Sequence, residues 1–505
     1  MDIKKLVNRI KKENFTVEEY KGIRKEIDND FVYYSLFEHV FEKSHDIDYY
    51  KRENSGAIYT PEHIVELMVD SSFVKMEEDL WNCKVLEPSA GSGNFVQVVF
   101  EKLLTGLKKQ HPEKSDSEII ERIATHILYV SELNIYALLT TVYRIKDLYN
   151  VTLKNVFWGN SLLWGPTNLI DNKNEDMYLH LKKIEVDFSE EELETVLLNP
   201  ENFYSEKQFK STDFDLIIGN PPYGNLLPAY FKKLIADKHS NVALNFFDIF
   251  IDRLKEKGVL SFIAPHSFTR ANGNKKWRQS VFNDQYLFEL IDCGNPFYDI
   301  TLETVIYNLK KDTQDAVRLS SLKDKGYSYE VSFEKLFKED TFRFILYYDD
   351  EYERIQKLPN LIYPFGGKRG KDVNKKELQK EPSENSLWVV LGKNISKNGL
   401  VNVNNYDCYI DKDKAIPKNI LKSEVLAITQ FGTNLKAAVL DKECYPSGGV
   451  VVVTHDGLSI NEAKDYLNES YINYYLKRYV LNNADLTVHL DGVYLKEIPY
   501  NILNK

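Results

Sequence analysis

Between Lys84 and Lys311, short apolar runs alternate with stretches of helical periodicity. The runs are KVLEP from Lys84, HILYVSEL from His126, NVFWGN from Asn155, DFDLIIGNPP from Asp213, GVLSFIAP from Gly258, YLFELIDCG from Tyr286 and ETVIYNLKK from Glu303. Strands separated by helices predict a doubly wound, Rossmann-like α/β sheet of seven strands with helices on both faces. Several runs are apolar without alternation, the pattern of strands buried on both faces in a parallel sheet. From Met1 to about Tyr50, charged residues interleave with Leu6, Ile10, Phe15, Tyr20 and Ile23, which predicts a helical arm. After Lys311 the alternation stops, and GGKRG from Gly366 and YPSGG from Tyr445 read as turns. The pattern thus divides the chain into an arm over 1–50, an α/β domain over 51–312 and an α+β domain over 313–505. The last boundary falls somewhere between 312 and 345. Two polar stretches, LKKQHPEKSDSE from Leu107 and DNKNEDMYLHLKK from Asp171, are expected on the surface.

Composition narrows the class. The chain has 505 residues, 43% hydrophobic and 28% charged, enough for two or three domains with a sizeable core. No apolar run reaches the length of a membrane span, and the opening MDIKKLVNRIKKENF lacks the apolar centre of a secretory signal. The protein is expected in the cytoplasm, away from membranes. Cys83, Cys293, Cys408 and Cys444 are widely spaced, without a CxxC pair or zinc-spaced histidines, so they read as reduced thiols and no metal is expected. The net charge of −11 requires any nucleic-acid contact to use a local patch. Two clusters qualify: Arg270, Lys275, Lys276 and Arg278, and then Lys368, Arg369 and Lys371. Each reads equally well as a solvated face.

Two motifs carry chemistry. VLEPSAGSGNF from Val85 is a strand ending in Glu87, a turn of small residues (Ser89, Ala90, Gly91, Ser92, Gly93) and the start of a helix. Its backbone can pass close beneath a ligand, with free N–H groups at the helix start. A glycine loop alone fits a plain tight turn as well. This one lacks GxGxxG and the P-loop lysine, which weakens dinucleotide and triphosphate readings. Glu132, ending the next strand, can accept both ribose hydroxyls of an adenosine-containing cofactor. The second motif is more specific: a strongly apolar strand delivers Asn220, Pro221, Pro222 and Tyr223 to the sheet edge. An amino group awaiting methylation needs acceptors, and the Asn220 side-chain oxygen and Pro221 carbonyl can take its two hydrogens. Tyr223 offers a stacking face.

In this order the motifs resemble the gamma class of DNA adenine-N6 methyltransferases, the group that includes the Taq-type enzyme, over about residues 54–311. SGAIYTPEHIVELMV from Ser55 stands for that class's first element, and the resemblance assigns Thr60 and Pro61 to the methionine part of S-adenosylmethionine. It assigns the Gly loop and Glu132 to the rest of the cofactor. Asn160, in GNSLLW, stands where the class usually has Asp, and an amide can still accept from the cofactor's adenine amino group. Phe246 falls where an aromatic packs on that adenine, and Phe297 where one stacks on the flipped target base. The resemblance implies S-adenosylmethionine as methyl donor without a metal, double-stranded DNA as substrate, and a monomer with a C-terminal target-recognition domain. LGKNISKNG from Leu391 and HLDGVYLKEIPY from His489 are loosely similar to such domains. A role in restriction–modification follows, with a separately encoded cognate endonuclease as a compatible partner. The arm is short for a fused nuclease. Rival readings are a protein-glutamine or ribosomal-RNA amino methyltransferase and a catalytically silent DNA-recognition subunit.

Overall fold

The computed structural model describes residues 17–27, 29–34, 36–37, 60–76, 79–164, 211–224, 239, 241–297, 300–396, 398–400, 408–430, 432, 434–486, 490 and 492–502. Leu6, Ile10 and Phe15 of the expected arm, the polar stretch from Asp171 and His489 lie outside them. The chain divides into two compact units, 1–333 and 334–505.

All seven expected strands form in the first unit: β1 (Val85–Glu87), β2 (Leu128–Glu132), β3 (Asn155–Trp158), β4 (Phe214–Gly219), β5 (Leu254–Pro265), β6 (Leu287–Gly294) and β7 (Thr304–Lys310). Two more, β8 (Ala316–Ser321) and β9 (Ser328–Ser332), extend the sheet, whose order is β3-β2-β1-β4-β5-β7-β6-β8-β9. The count of seven is therefore corrected to nine among the described residues. In β8, buried and more exposed positions alternate, unlike the continuous runs that mark the central strands. The sheet is mixed rather than wholly parallel, because β7 runs antiparallel to both β5 and β6. The connection from Asn295 to Glu303 is too short for the dozen or more residues that a parallel crossover needs.

Helices cover both faces. A short α1 (Val17–Gly22) precedes α2 (Glu62–Phe73), which buries Ile64, Val65, Met68, Val69 and Ser72 along one stripe. With α3 (Asn94–Gln110), α4 (Asp116–Arg122) and α5 (Ile135–Tyr149) it packs against Val85, Leu216, Val259, Ile263 and Ile306. Ser115 and Glu118 cap α4 reciprocally. On the other face, α6 (Val242–Asp252) and α7 (Lys275–Asp284) bring Phe247 and Trp277 onto Phe262 and Tyr307. Ile263 and Phe262, like Ile306 and Tyr307, are sequence neighbours serving opposite faces, as strand geometry demands. No helix of the described residues is long and apolar enough to cross a membrane. The four cysteines are free.

The second unit contains two four-stranded sheets. In one, β10 (Phe365–Arg369), β17 (Val450–His455), β14 (Val425–Thr429) and β15 (Ala437–Leu440) lie side by side, all antiparallel. The other comprises β11 (Leu378–Gln379), β13 (Cys408–Asp411), β12 (Ser386–Val390) and β16 (Cys444–Pro446). GGKRG, read as a turn, is thus mostly strand. Its glycines serve close approach: a Cβ on Gly367 would meet Val451 Cγ1 at 2.7 Å, and one on Gly492 would run into the Gly367 carbonyl.

A buried ion pair organises this unit. Arg343 is 1% exposed and Glu497 5%. The Arg343 Nε donates to both carboxylate oxygens of Glu497 at 3.1 Å, and Nη1 donates to the Tyr479 carbonyl at 3.0 Å. Removing the acid would strand a buried guanidinium. Glu497→Ala is expected to lower the stability of the second unit by about 3–5 kcal/mol in urea unfolding, whereas an unchanged midpoint would show the pair to be dispensable.

Candidate active site

The sheet order reverses between β1 and β4: from β1 the chain moves outward to β2 and β3, and from β4 in the other direction to β5. Ligands of such sheets bind beyond the carboxyl ends of the strands at this switch point. The residues there are Glu87 to Gly93 from β1 and Asn220 to Tyr223 from β4.

The glycine loop is tied on two sides. Its Ala90 N–H donates to the Ser131 carbonyl (3.0 Å), and its Gly91 N–H donates to Glu132 Oε2 (2.9 Å). Glu132 Oε1 accepts from the N–H groups of Leu133 and Asn134 at 2.8 and 2.9 Å, so the carboxylate closes β2 and holds the loop at once. Gly93 caps α3 with φ +87°, and a Cβ there would press on Thr141 Oγ1 at 3.0 Å. The Thr141 hydroxyl donates to the Gly91 carbonyl (2.7 Å). At the end of β3, Asn160 Oδ1 accepts from Leu162 N–H (3.0 Å), leaving its amide hydrogens directed elsewhere.

The NPPY segment is joined directly to this loop. Ser89 Oγ donates to the Asn220 carbonyl at 3.3 Å. Asn220 Nδ2 donates to Thr60 Oγ1 at 3.0 Å, which turns Oδ1 the other way, where it accepts from the Tyr223 hydroxyl. That hydroxyl also lies 3.0 Å from the Ile263 carbonyl, so one proton serves two acceptors. Tyr223 is 8% exposed, and burial raises its phenol well above the ordinary range. Thr60, Ser89, Asn220 and Tyr223 therefore form one network, as Gly91 does with Glu132. Pro61 starts α2, and its carbonyl accepts from Ile64 and Val65. Phe246 lies on α6, its ring 5.6 Å from that of Phe250, and Phe297 is 6% exposed in the core cluster.

Glu87 is 1% exposed and its Oε2 has no hydrogen-bond partner, while Oε1 accepts from Ser89 N–H at 3.0 Å. Burial pushes this carboxyl well above its ordinary value. It lies over Gly219, the residue before Asn220: a Cβ there would meet Oε2 at 2.7 Å and Cδ at 2.8 Å. One further residue escaped the sequence reading. Arg144, fully buried on α5, donates to the Ser92 carbonyl (3.1 Å) and Asn94 Oδ1 (2.7 Å). An arginine on the same helical face as Ala137 and Thr141 was the available signal.

Among the basic clusters, Arg278 is corrected from a surface cation to an internal clamp. It belongs to the buried face of α7 with Trp277 and Val281, and its Nη1 donates to the carbonyls of Phe268 and Ala271, both at 2.9 Å. Lys275 and Lys276 are exposed in the first turn of α7, with Arg270 half-buried before it. Lys368, Arg369 and Lys371 are exposed, but the first two end β10 instead of forming a loop. Arg369 Nε donates to the Gly448 carbonyl (2.7 Å) and Nη2 to Asp372 (3.1 Å). Among the described residues, no cluster of His, Cys, Asp or Glu is arranged to hold a metal.

Residues 122–298 match the family of the Eco57I restriction-modification methylase, and residues 387–500 match the TaqI-like C-terminal specificity domain. The chain is 27% identical to the type II restriction enzyme and methyltransferase RM.Eco57I of Escherichia coli, over 53% of this chain and 29% of that protein. It is 23% identical to the type II methyltransferase M.BstVI of Geobacillus stearothermophilus, over 52% of this chain and 43% of the relative. The chain thus spans less than half the length of either. Its fold is similar to the type IIL restriction-modification enzyme MmeI in complex with DNA, with a TM-score of 0.53 at 13% identity over 88% of this chain and 68% of that one. The DrdV–DNA complex gives 0.54 at 13% identity over 93% and 58%.

The raised Glu87 carboxyl has a consequence for stability. The folded chain retains a proton that the unfolded chain releases near the ordinary value of 4.5, so this group's contribution falls as pH rises above that value. Glu87→Gln should therefore gain stability relative to the parent progressively above about pH 4.5. Chemical denaturation at several pH values tests this, and parallel curves for the two proteins would refute it.

Proposed function

We propose that this chain, which carries an Eco57I-type restriction-modification methylase segment and a TaqI-like specificity domain, methylates the exocyclic N6 of adenine in double-stranded DNA. The observation that carries the reading is the Asn220 amide, whose nitrogen donates to Thr60 and whose oxygen is thereby an acceptor at the switch point. S-adenosylmethionine, when bound, supplies an activated methyl group. The residues fit such a cofactor: Glu132 offers a carboxylate beside the Gly loop, Asn160 an amide on the neighbouring strand end, and Thr60 a hydroxyl beside Asn220. Phe246 is assigned to the adenine face.

Asn220 Oδ1 and the Pro221 carbonyl take the two hydrogens of the target amine and aim its lone pair. As the nitrogen bonds to the methyl carbon, with the donor's sulfur as leaving group, the amine becomes cationic, both hydrogen bonds strengthen, and one hydrogen then leaves as a proton to solvent. The Tyr223 hydroxyl must yield Oδ1 to the amine, and the Ile263 carbonyl, 3.0 Å away, lets it do so without losing a partner. An adenine inside the duplex cannot reach this edge, so it is extruded. Stacking on Tyr223 and Phe297 is worth about 1–3 kcal/mol per ring, and both rings must be uncovered as the base enters.

Lys275 and Lys276 face the positive end of the α7 dipole, an unfavourable placement for cations that a phosphate would relieve. A separately encoded cognate endonuclease that cuts unmethylated copies of the site is a partner compatible with this reading.

Asn220→Ala should reduce single-turnover methylation on the order of 10²–10³-fold with little change in DNA or cofactor affinity. Tritiated methyl transfer followed by product digestion measures it. A near-parental rate in the folded variant, or label in protein, RNA or cytosine, would overturn the assignment. In the specificity unit, replacing Lys368 and Lys371 by Gln should flatten the salt dependence of DNA binding by about one unit per lost phosphate contact. An unchanged slope would make them a solvated face.

A further inference from the structure

Arg144 has no role in the reading above, yet it begins a hydrogen-bonded path that ends on Asn220. Its side chain is fully buried, with Nε donating to Gln97 Oε1 at 2.7 Å and Nη1 to Asn94 Oδ1 at 2.7 Å. Asn94 Nδ2 donates to the Thr60 carbonyl at 3.1 Å, and Thr60 Oγ1 accepts from Asn220 Nδ2 at 3.0 Å. We propose that Arg144 is a positioning residue for methyl transfer, acting through Asn94 and Thr60 on the Asn220 amide.

Hydrogen-bond polarity fixes Asn94, and Asn94 fixes the place of Thr60. A guanidinium donates and never accepts, so Asn94 must turn its oxygen to Arg144 and its nitrogen to Thr60. Thr60 is thereby held by its carbonyl, and its hydroxyl stands where Asn220 can donate to it. With Nδ2 engaged, Asn220 presents Oδ1, the atom that methyl transfer needs. A neutral amide in place of Arg144 could flip, and the orientation of Asn94 that places Thr60 would no longer be dictated.

A structural role alone explains Arg144 less well. Methionine or leucine would fill similar volume without taking a charge out of water. The guanidinium remains cationic at neutral pH, with burial lowering it only to about 10. Among the described residues no carboxylate is hydrogen-bonded to it; its carbon instead lies 4.8 Å and 4.9 Å from the ring centroids of Phe31 and Tyr34. The Tyr34 hydroxyl donates to Asp147 at 2.6 Å, which fixes that ring against α5. The N-terminal segment therefore covers a charge whose donors serve the glycine loop and the first turn of α3.

The inference rests on the methyltransferase reading and is tested by a double-mutant cycle on single-turnover methylation at saturating S-adenosylmethionine. Arg144→Gln should slow the parent about tenfold, the scale of a modest misplacement of a reacting group. In a Thr60→Val background, which lacks the hydroxyl to be positioned, the same change should cost less than about twofold. Asn94→Ala, which breaks the path one link later, should show the same coupling and serves if Arg144→Gln does not fold. Equal losses in both backgrounds, or no loss in a folded variant, would overturn the role of Arg144. Absence of adenine methylation by the parent protein would instead count against the methyltransferase reading.

Discussion

The side-chain amide of Asn220 can point two ways with almost the same shape, and only one of them presents an acceptor. Everything around it bears on that choice. Thr60 accepts from the nitrogen, Ser89 holds the backbone carbonyl, and the rigid prolines that follow keep Pro221 from donating. The sheet supplies the place: β1 and β4 are adjacent and parallel, so the Gly loop and NPPY emerge side by side from the same edge. Strand topology and one amide orientation are thus two levels of a single constraint.

Around this edge the unit buries polar groups that an apolar core would avoid. Glu87 lies over Gly219 with one oxygen unpartnered, Arg144 is closed in by aromatic rings, and Arg278 ties together the turn before α7. Buried polar groups weaken a fold unless their partners are in place, and they define geometry when they are. Each of these side chains holds a backbone segment that leads into the site or flanks it, rather than merely filling space. The carboxyl of Glu87, neutral over a wider pH range than usual, also avoids placing a second full charge near Glu132.

The second unit solves a different problem with glycine. Gly367 and Gly492 approach so closely that no side chain fits between them, while Gly370 lies against the carbonyls of Pro446 and Ser447 and Gly448 against the Asp372 side chain. Arg369 bridges the segments after β10 and β16 through Gly448 and Asp372, which leaves Lys368 and Lys371 as the cations of that cluster without such ties. A glycine-rich stretch was legible from composition, but its purpose was not: the same residues serve turns and close packing, and only the neighbours tell them apart.

What the sequence by itself determined is what depends on local order. The seven runs that became β1 to β7, the small-residue turn after Glu87 and the proline pair after Asn220 are written in periodicity, turn chemistry and apolar continuity over fewer than a dozen residues. The alternating strands β8 and β9, at one end of the sheet, lack that continuity, and β7 could be oriented only from the length of its connection. Arg278 looked like surface because a run of basic residues carries no record of which face is turned inward. Thr60 and Asn220 were each singled out, but their contact spans 160 positions, and the link from Arg144 to Asn94 spans 50. Those pairings, and with them the orientation of the amide, were decided only when the tertiary structure brought distant donors and acceptors within 3 Å, because hydrogen-bond polarity is a property of neighbours in space and not of neighbours along the chain.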